Sequence, residues 1–273
     1  MHGLGNDFVV LDFTENPVDL SAEQAAFIAD RHFGVGCDQI LIVEQSDRDG
    51  IDFKYRIINA DGSEVGQCGN GSRCFLRYVH EKGLSSKNPI KVETSTGELI
   101  LEAHQGTNLV TVDMGPPRFE PADIPLDESA RKNLYSLEIN DELVEFSASS
   151  MGNPHAVLLV EDTVKAPVER LGPLLESHSI FPDKANIGFM QVVSRAEINL
   201  RVFERGAGET IACGSGACAA VVAGIQRGLL DSKVTAHLRG GDLIIEWQGD
   251  GHAVMMTGPA ATTFEGVLEL ERS

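Results

Sequence analysis

Two stretches of the chain repeat each other in register. NADGSEVGQCGNGSR, from Asn59 to Arg73, aligns without a gap on ERGAGETIACGSGAC, from Glu204 to Cys218, and pairs Cys68 with Cys213, Gly69 with Gly214, Gly71 with Gly216 and Glu64 with Glu209. A separation of about 145 residues is far too long for a solenoid, so the chain reads as two similar halves, each presenting one cysteine at a glycine-rich turn. With 273 residues, each half is long enough to build its own core.

The repeat extends beyond the cysteines. FKYRII (Phe53 to Ile58) and INLRVF (Ile198 to Phe203) alternate apolar and polar residues as half-buried strands do, with Arg56 matched to Arg201. Downstream, CFLRYVHEKGL and CAAVVAGIQRGL read as helices that close at Gly83 and Gly228. Strand-like runs follow in KVETSTGELILEA and from Val234 through GDLIIEW. Fainter matches flank this unit: Gly5 and Asn6 correspond to Gly152 and Asn153, and Gln39 to Asn186. The proline-rich stretch from Met114 to Pro125 reads as a crossover between domains, and GVLEL (Gly266 to Leu270) as a last strand returning to the first half.

Composition limits the function classes. A formal charge of −19 argues against binding nucleic acid or an anionic membrane, whose phosphates it would repel. No apolar run is long enough for a transmembrane helix, and MHGLGNDFVVLDF lacks the basic and apolar regions of a signal peptide. Five cysteines, an odd number, fit a reducing compartment, and the expected location is the cytoplasm. Neither Cys68/Cys74 nor Cys213/Cys218 has the spacing of a zinc hook.

The chemistry follows from where the two cysteines stand. Only a thiolate is a base or nucleophile, and a helix N-terminus lowers the pKa of a thiol placed there. Bare N–H groups at Gly69, Gly71, Gly214 and Gly216 offer an anion such as a carboxylate a cradle. Two thiols flanking an α-carbon suit removal of a proton from one face and delivery to the other. One cysteine at a helix start is more often a small buried hydrophobe; two copies in register are a stronger signal. Cys37, Cys74 and Cys218 lack the glycine setting and are assigned to cores. Neither copy has a GKS or GKT ending, which argues against a nucleotide.

HGLGNDF, FGVGCDQ, NADGSE, QCGNGSRC, SMGNPH, ANIGFMQV, ERGAGET and ACGSGACA together resemble the diaminopimelate epimerase family over nearly the whole chain. The resemblance implies an α/β (α+β) fold of two pseudo-symmetric domains, each a curved, barrel-like β-sheet wrapped around a central helix, with the active site between them. The expected domains are residues 1–113 with 260–273, carrying Cys68, and residues 114–259, carrying Cys213. It implies a cofactor-independent isomerase that interconverts LL- and meso-diaminopimelate on the way to lysine and peptidoglycan, working as a homodimer. Cys68 and Cys213 match the catalytic bases, and Gly69, Asn70, Gly214 and Ser215 the residues that bind the carboxylate at the reacting centre. Asn6, Gln39, Asn59, Asn153, Asn186, Glu204 and Arg205 match the remaining substrate contacts, and His155 and Glu204 are expected to tune the thiols.

The halves differ where Asn59 faces Glu204 and Ala60 faces Arg205, so the charged clamp exists once and is expected to recognise the non-reacting end of the substrate. Ser215 stands where many members have threonine, and the family's usual first strand residues precede the position of Met1, so the start is either truncated or a shorter strand. A proline racemase or hydroxyproline epimerase is the nearest competing enzyme, and a thiol-redox or metal-sensing switch the competitor from another class. The Glu204-Arg205 clamp argues against a compact cyclic substrate.

Overall fold

The computed structural model describes residues 1–66 and 68–270. The chain divides into two compact units, Met1–Val112 with the chain from Gly258 onward, and Asp113–Thr257.

In the first unit the strands are β1 (His2–Gly3), β2 (Asn6–Asp12), β3 (Gln39–Glu44), β4 (Phe53–Asn59), β5 (Glu64–Val65), β6 (Ile90–Thr94), β7 (Gly97–Ala103) and β8 (Leu109–Asp113), with helices α1 (Ala22–Ala29) and α2 (Gly69–Glu81). β2 runs parallel to β3, β3 antiparallel to β4, β4 antiparallel to β5 and parallel to β6, and β6, β7 and β8 follow as antiparallel neighbours. Because β1, β2, β3 and β7 all touch α2, the sheet curves around that helix. The sequence of β3 shows why. Ile40, Leu41, Ile42 and Val43 are all fully buried, the mark of a strand covered on both faces. Ile40 and Ile42 pack with Ala25 and Ile28 of α1, while Leu41 faces Gly71 of α2.

The second unit repeats this order with β9 (Tyr135–Ile139), β10 (Glu142–Ser150), β11 (Pro154–Leu159), β12 (Asn186–Ser194), β13 (Glu197–Glu204), β14 (Gly208–Thr210), β15 (Lys233–Leu238), β16 (Gly241–Glu246) and β17 (Met255–Pro259), and helices α3 (Val168–Glu176) and α4 (Gly214–Gln226). β11 is parallel to β12, β12 antiparallel to β13, β13 antiparallel to β14 and parallel to β15, and β15, β16 and β17 are antiparallel. α4 is apolar on every side and buried from Gly216 to Gly224, as the helix inside a wrapped sheet must be. α2 and α4 end alike, with Gly83 at φ +67° and Gly228 at φ +71°, the left-handed closing conformation that glycine adopts without strain.

Two sequence expectations need correction. The stretch from Met114 to Pro125 is no crossover: it belongs to the second unit, where Arg118 bridges to Ser150, Phe119 packs on Trp247 and Ile124 and Leu126 join the core. Its prolines shape a 3-10 turn at Pro121–Asp123 rather than a linker. GVLEL does return to the first unit, where Leu270 packs beside α1, but as irregular chain and not as a strand, with Val267 exposed. Cys37, Cys74 and Cys218 are buried, and burial pushes the Cys74 thiol up to about 12. Among the described residues no helix is long and apolar enough to cross a membrane.

Candidate active site

In the first unit, β4 carries the chain to Asn59 and the β5 hairpin returns it to Cys68, the N-cap of α2. Cys68 has extended backbone (φ −144°, ψ 106°), and its Sγ accepts from the Gly71 N–H at 3.4 Å, satisfying one of the donors a helix start leaves over. Asn6, at the start of β2, meets this turn: its Oδ1 stands 3.9 Å from Cys68 Sγ and accepts from Asn70 Nδ2 at 3.2 Å. Asn6 Nδ2 donates to Asp38 at 2.8 Å, which fixes which way the amide faces. Arg31 in turn forks onto Asp7 and reaches Asp38, and its guanidinium holds the Asp7 carboxyl below the usual range. Gln39, opposite Asn59 in the β3–β4 register, donates to Asn59 Oδ1 at 2.9 Å. Gly69 opens the helix and is half-buried. Asn70 is buried with its amide engaged by Asn6 and Arg73.

In the second unit, Cys213 is the N-cap of α4 and is 4% exposed. Glu204, at the end of β13, accepts from Thr210 Oγ1 and also from the thiol. Burial first, and then the Glu204 charge, push the Cys213 thiol well above its ordinary value, against the opposing pull of the Gly216 N–H and the Ser215 hydroxyl 3.8 Å away. The sequence expectation that the helix start lowers this thiol is therefore overturned: desolvation outweighs the helix terminus. Asn186 is buried at the start of β12, donating to the Pro154 carbonyl and accepting from the Arg205 N–H, both at 3.0 Å. The Arg205 guanidinium is exposed and donates to the Asp183 carbonyl at 3.0 Å. Asn153 accepts from His155 Nε2 at 2.9 Å, and Gly214 and Ser215 form the first residues of α4. His155 pairs with Asn186 across β11 and β12; burial, and then the Arg205 charge, push its pKa down to about 3, so it is a neutral imidazole donating to Asn153.

The matched glutamates have a plain structural cause. Arg56 bonds Glu64 at 3.1 Å and Arg201 forks onto Glu209 at 2.7 and 2.8 Å, so each pair ties the cysteine hairpin to its strand. Gly71 and Gly216 likewise serve close approach: a Cβ at Gly71 would meet the Tyr55 hydroxyl at 2.4 Å, and one at Gly216 would meet Val202 at 3.0 Å and Cys213 Sγ at 3.1 Å. Sequence reasoning missed Asp38, Arg73 and Thr210. Asp38 adjoins Gln39 in GVGCDQI, and Arg73 was visible as a charged residue one helical turn after Asn70.

The chain is similar to proteins of one family. The family model described as diaminopimelate epimerase matches residues 1–120 and 147–263. The chain is 58% identical to the diaminopimelate epimerase of Azoarcus sp. (strain BH72) over 270 residues, covering 99% of this chain and 97% of the relative. It is 57% identical to the diaminopimelate epimerase of Thioalkalivibrio sulfidiphilus, with 99% and 98% covered. Among solved structures, a probable proline racemase from Agrobacterium radiobacter K84 superposes with a TM-score of 0.71 at 15% identity, covering 99% of this chain and 92% of that one. A hydroxyproline epimerase from Agrobacterium vitis gives 0.67 at 16% identity, with 96% and 89% covered; at such identities the likeness is one of fold.

Proposed function

The chain belongs to the diaminopimelate epimerase family, and from that membership we propose that it interconverts LL- and meso-2,6-diaminopimelate for lysine and peptidoglycan precursor synthesis. The observation that carries the mechanism is the matched pair of N-cap cysteines, Cys68 on α2 and Cys213 on α4. In this reading one sulfur, as thiolate, takes the α-proton from one face while the other, as thiol, delivers a proton to the opposite face, and the roles exchange for the reverse direction. Glu204 supports the proton-donor state of Cys213, because a carboxylate beside a buried sulfur favours the S–H form.

The remaining residues divide by what they offer. Gly69, Asn70, Gly214 and Ser215 supply helix-start N–H groups for the carboxylate at the reacting centre, where negative charge develops as the proton leaves. Asn6, Gln39, Asn59, Asn153 and Asn186 supply amides already oriented by neighbours. Arg205, with its guanidinium exposed, takes the distal carboxylate in a fork. Glu204 is engaged by Thr210 and Cys213, which ties it to the reacting end and weakens the expectation that it holds the distal ammonium. His155 acts by holding Asn153 rather than by charge. The reading includes a cytoplasmic homodimer that needs no cofactor; sedimentation of the purified protein checks the dimer.

The test is incubation of reduced protein with LL-diaminopimelate in deuterium oxide, without added cofactor, following α-proton loss and meso product together. Both are expected, and Cys68→Ala or Cys213→Ala should abolish epimerisation. Full turnover by either variant would sink the two-base mechanism, and exchange of proline in place of diaminopimelate would move the assignment to a racemase.

A further inference from the structure

One buried polar group in the first unit has no evident use. Tyr55 is fully buried, its ring 4.6 Å from that of Phe75, and among the described residues its hydroxyl has no hydrogen bond of good geometry, with the Ser72 side chain its nearest polar company. The hydroxyl lies 2.4 Å from where a Cβ on Gly71 would be, and the Gly71 N–H is the group that donates to Cys68 Sγ at 3.4 Å. Hydroxyl and sulfur thus flank the same residue in the first turn of α2. The Ser72 hydroxyl nearby gives its own proton to the Cys68 carbonyl at 3.0 Å.

Burying a hydroxyl without a well-formed hydrogen bond opposes folding, so it calls for a reason. The repeat contains its own control. With Arg56 matched to Arg201, Tyr55 matches Leu200, which is buried on the same strand face as Val202, the residue against Gly216. A hydrocarbon therefore fills the equivalent place under α4, and packing alone does not require the hydroxyl.

We propose that Tyr55 is a positioning residue for Cys68, its hydroxyl donating to the sulfur when that sulfur is a thiolate, as a second donor beside the Gly71 N–H. This rests on the reading of Cys68 as one of the two bases. Burial first, and then the neighbouring Cys68 and Cys74 charges, hold the proton on the phenol, so it is a donor at neutral pH. Cys74, further along α2, feels the charges of Arg73, the Met1 ammonium, Cys68 and Arg77, and that ammonium donates to the Phe8 carbonyl. Cys74 stays a thiol because burial holds it up at about 12, so it does not compete for the hydroxyl at neutral pH.

The experiment is Tyr55→Phe in the full chain, with the pH dependence of iodoacetamide alkylation read separately at Cys68 and Cys213 by peptide mass spectrometry. Loss of the donor should move the Cys68 profile upward by about one pH unit, slowing alkylation at neutral pH roughly tenfold, and leave Cys213 unmoved. The melting temperature should hold or rise. kcat/KM should fall by one common factor in both directions, because the equilibrium between the epimers fixes their ratio. An unmoved Cys68 profile overturns the proposal, and more plainly so if the melting temperature drops, since the hydroxyl would then be structural. Tyr55→Leu, which copies the second unit, should give the same shift; a shift with Leu but not with Phe would assign the effect to the ring and overturn the proposal too. Because alkylation reads ionisation and not turnover, this result stands apart from failure of the two-base reading, which the Cys68→Ala variant reports.

Discussion

At the residue scale, the second unit sets opposing effects on one sulfur and lets burial win. Cys213 sits at a helix start that favours the thiolate, yet the dry surroundings and the Glu204 carboxylate hold the proton on. Glu204→Gln removes the charge and keeps the shape, so Cys213 should ionise at lower pH while staying above an ordinary thiol because burial remains; its alkylation profile measures this. His155 shows the same physics with the opposite sign of charge. Its folded pKa, about 3, lies below the ordinary 6.5, so between those values the unfolded chain binds the extra proton. Stability tied to the neutral ring is intact above pH 6.5, declines as pH falls and is fully lost below about 3, a loss on the order of 5 kcal/mol. Urea titrations at several pH values should show a slope in that window that His155→Gln lacks; equal slopes would remove the imidazole from the acid response.

At the element scale, α2 and α4 approach their sheets through one glycine each, and this was only half legible in the sequence. The repeat exposed Gly71 and Gly216 as matched, but spacing alone does not tell a glycine that bares an N–H for an anion from one that admits a neighbouring side chain. Here the side chains decide: the Tyr55 hydroxyl beneath Gly71, Val202 and Cys213 beneath Gly216. Gly71→Ala should cost ~1–3 kcal/mol by overpacking, outweighing the ~1 kcal/mol that alanine gains in a helix. Tyr55→Phe removes the nearest atom and should recover part of that loss, leaving a coupling of ~0.5–2 kcal/mol in a double-mutant cycle read by denaturation. Additive losses would mean that Leu41, 3.0 Å from the same Cβ position, sets the limit instead.

At the scale of the whole molecule, the legible part was what two copies make visible: strand, cysteine hairpin, helix and the strands after it recur in the same pairing order. Asn6 and Asn153, Gln39 and Asn186, and Cys68 and Cys213 occupy equivalent ends of equivalent elements. What the copies could not show was single-copy chain. The prolines between Met114 and Pro125 looked like a linker because proline signals irregular backbone whether it crosses open space or packs against a core, as Phe119 does. The chain's end carries a dependence that no periodicity announces. Arg73 is fully buried and donates to the Pro259 carbonyl at 3.1 Å, Arg77 donates to the Ala260 carbonyl at 2.9 Å, and His2 pairs with Ala261. The first unit therefore closes on residues that follow the whole second unit in sequence. Ending the chain at Gly258 takes the Pro259 carbonyl from a buried guanidinium that keeps the Gly69 carbonyl and Asn70 Oδ1, at a cost of ~1–3 kcal/mol. Hydrogen exchange should then show protection lost in β1, β2 and α2 while β11–β13 and α4 keep theirs. Arg73→Met removes the buried charge, so the same truncation in that background should cost less; an equal cost in both would place the stabilising contribution of the tail in its apolar contacts, Leu270 among them, and not in the Pro259 carbonyl it gives Arg73.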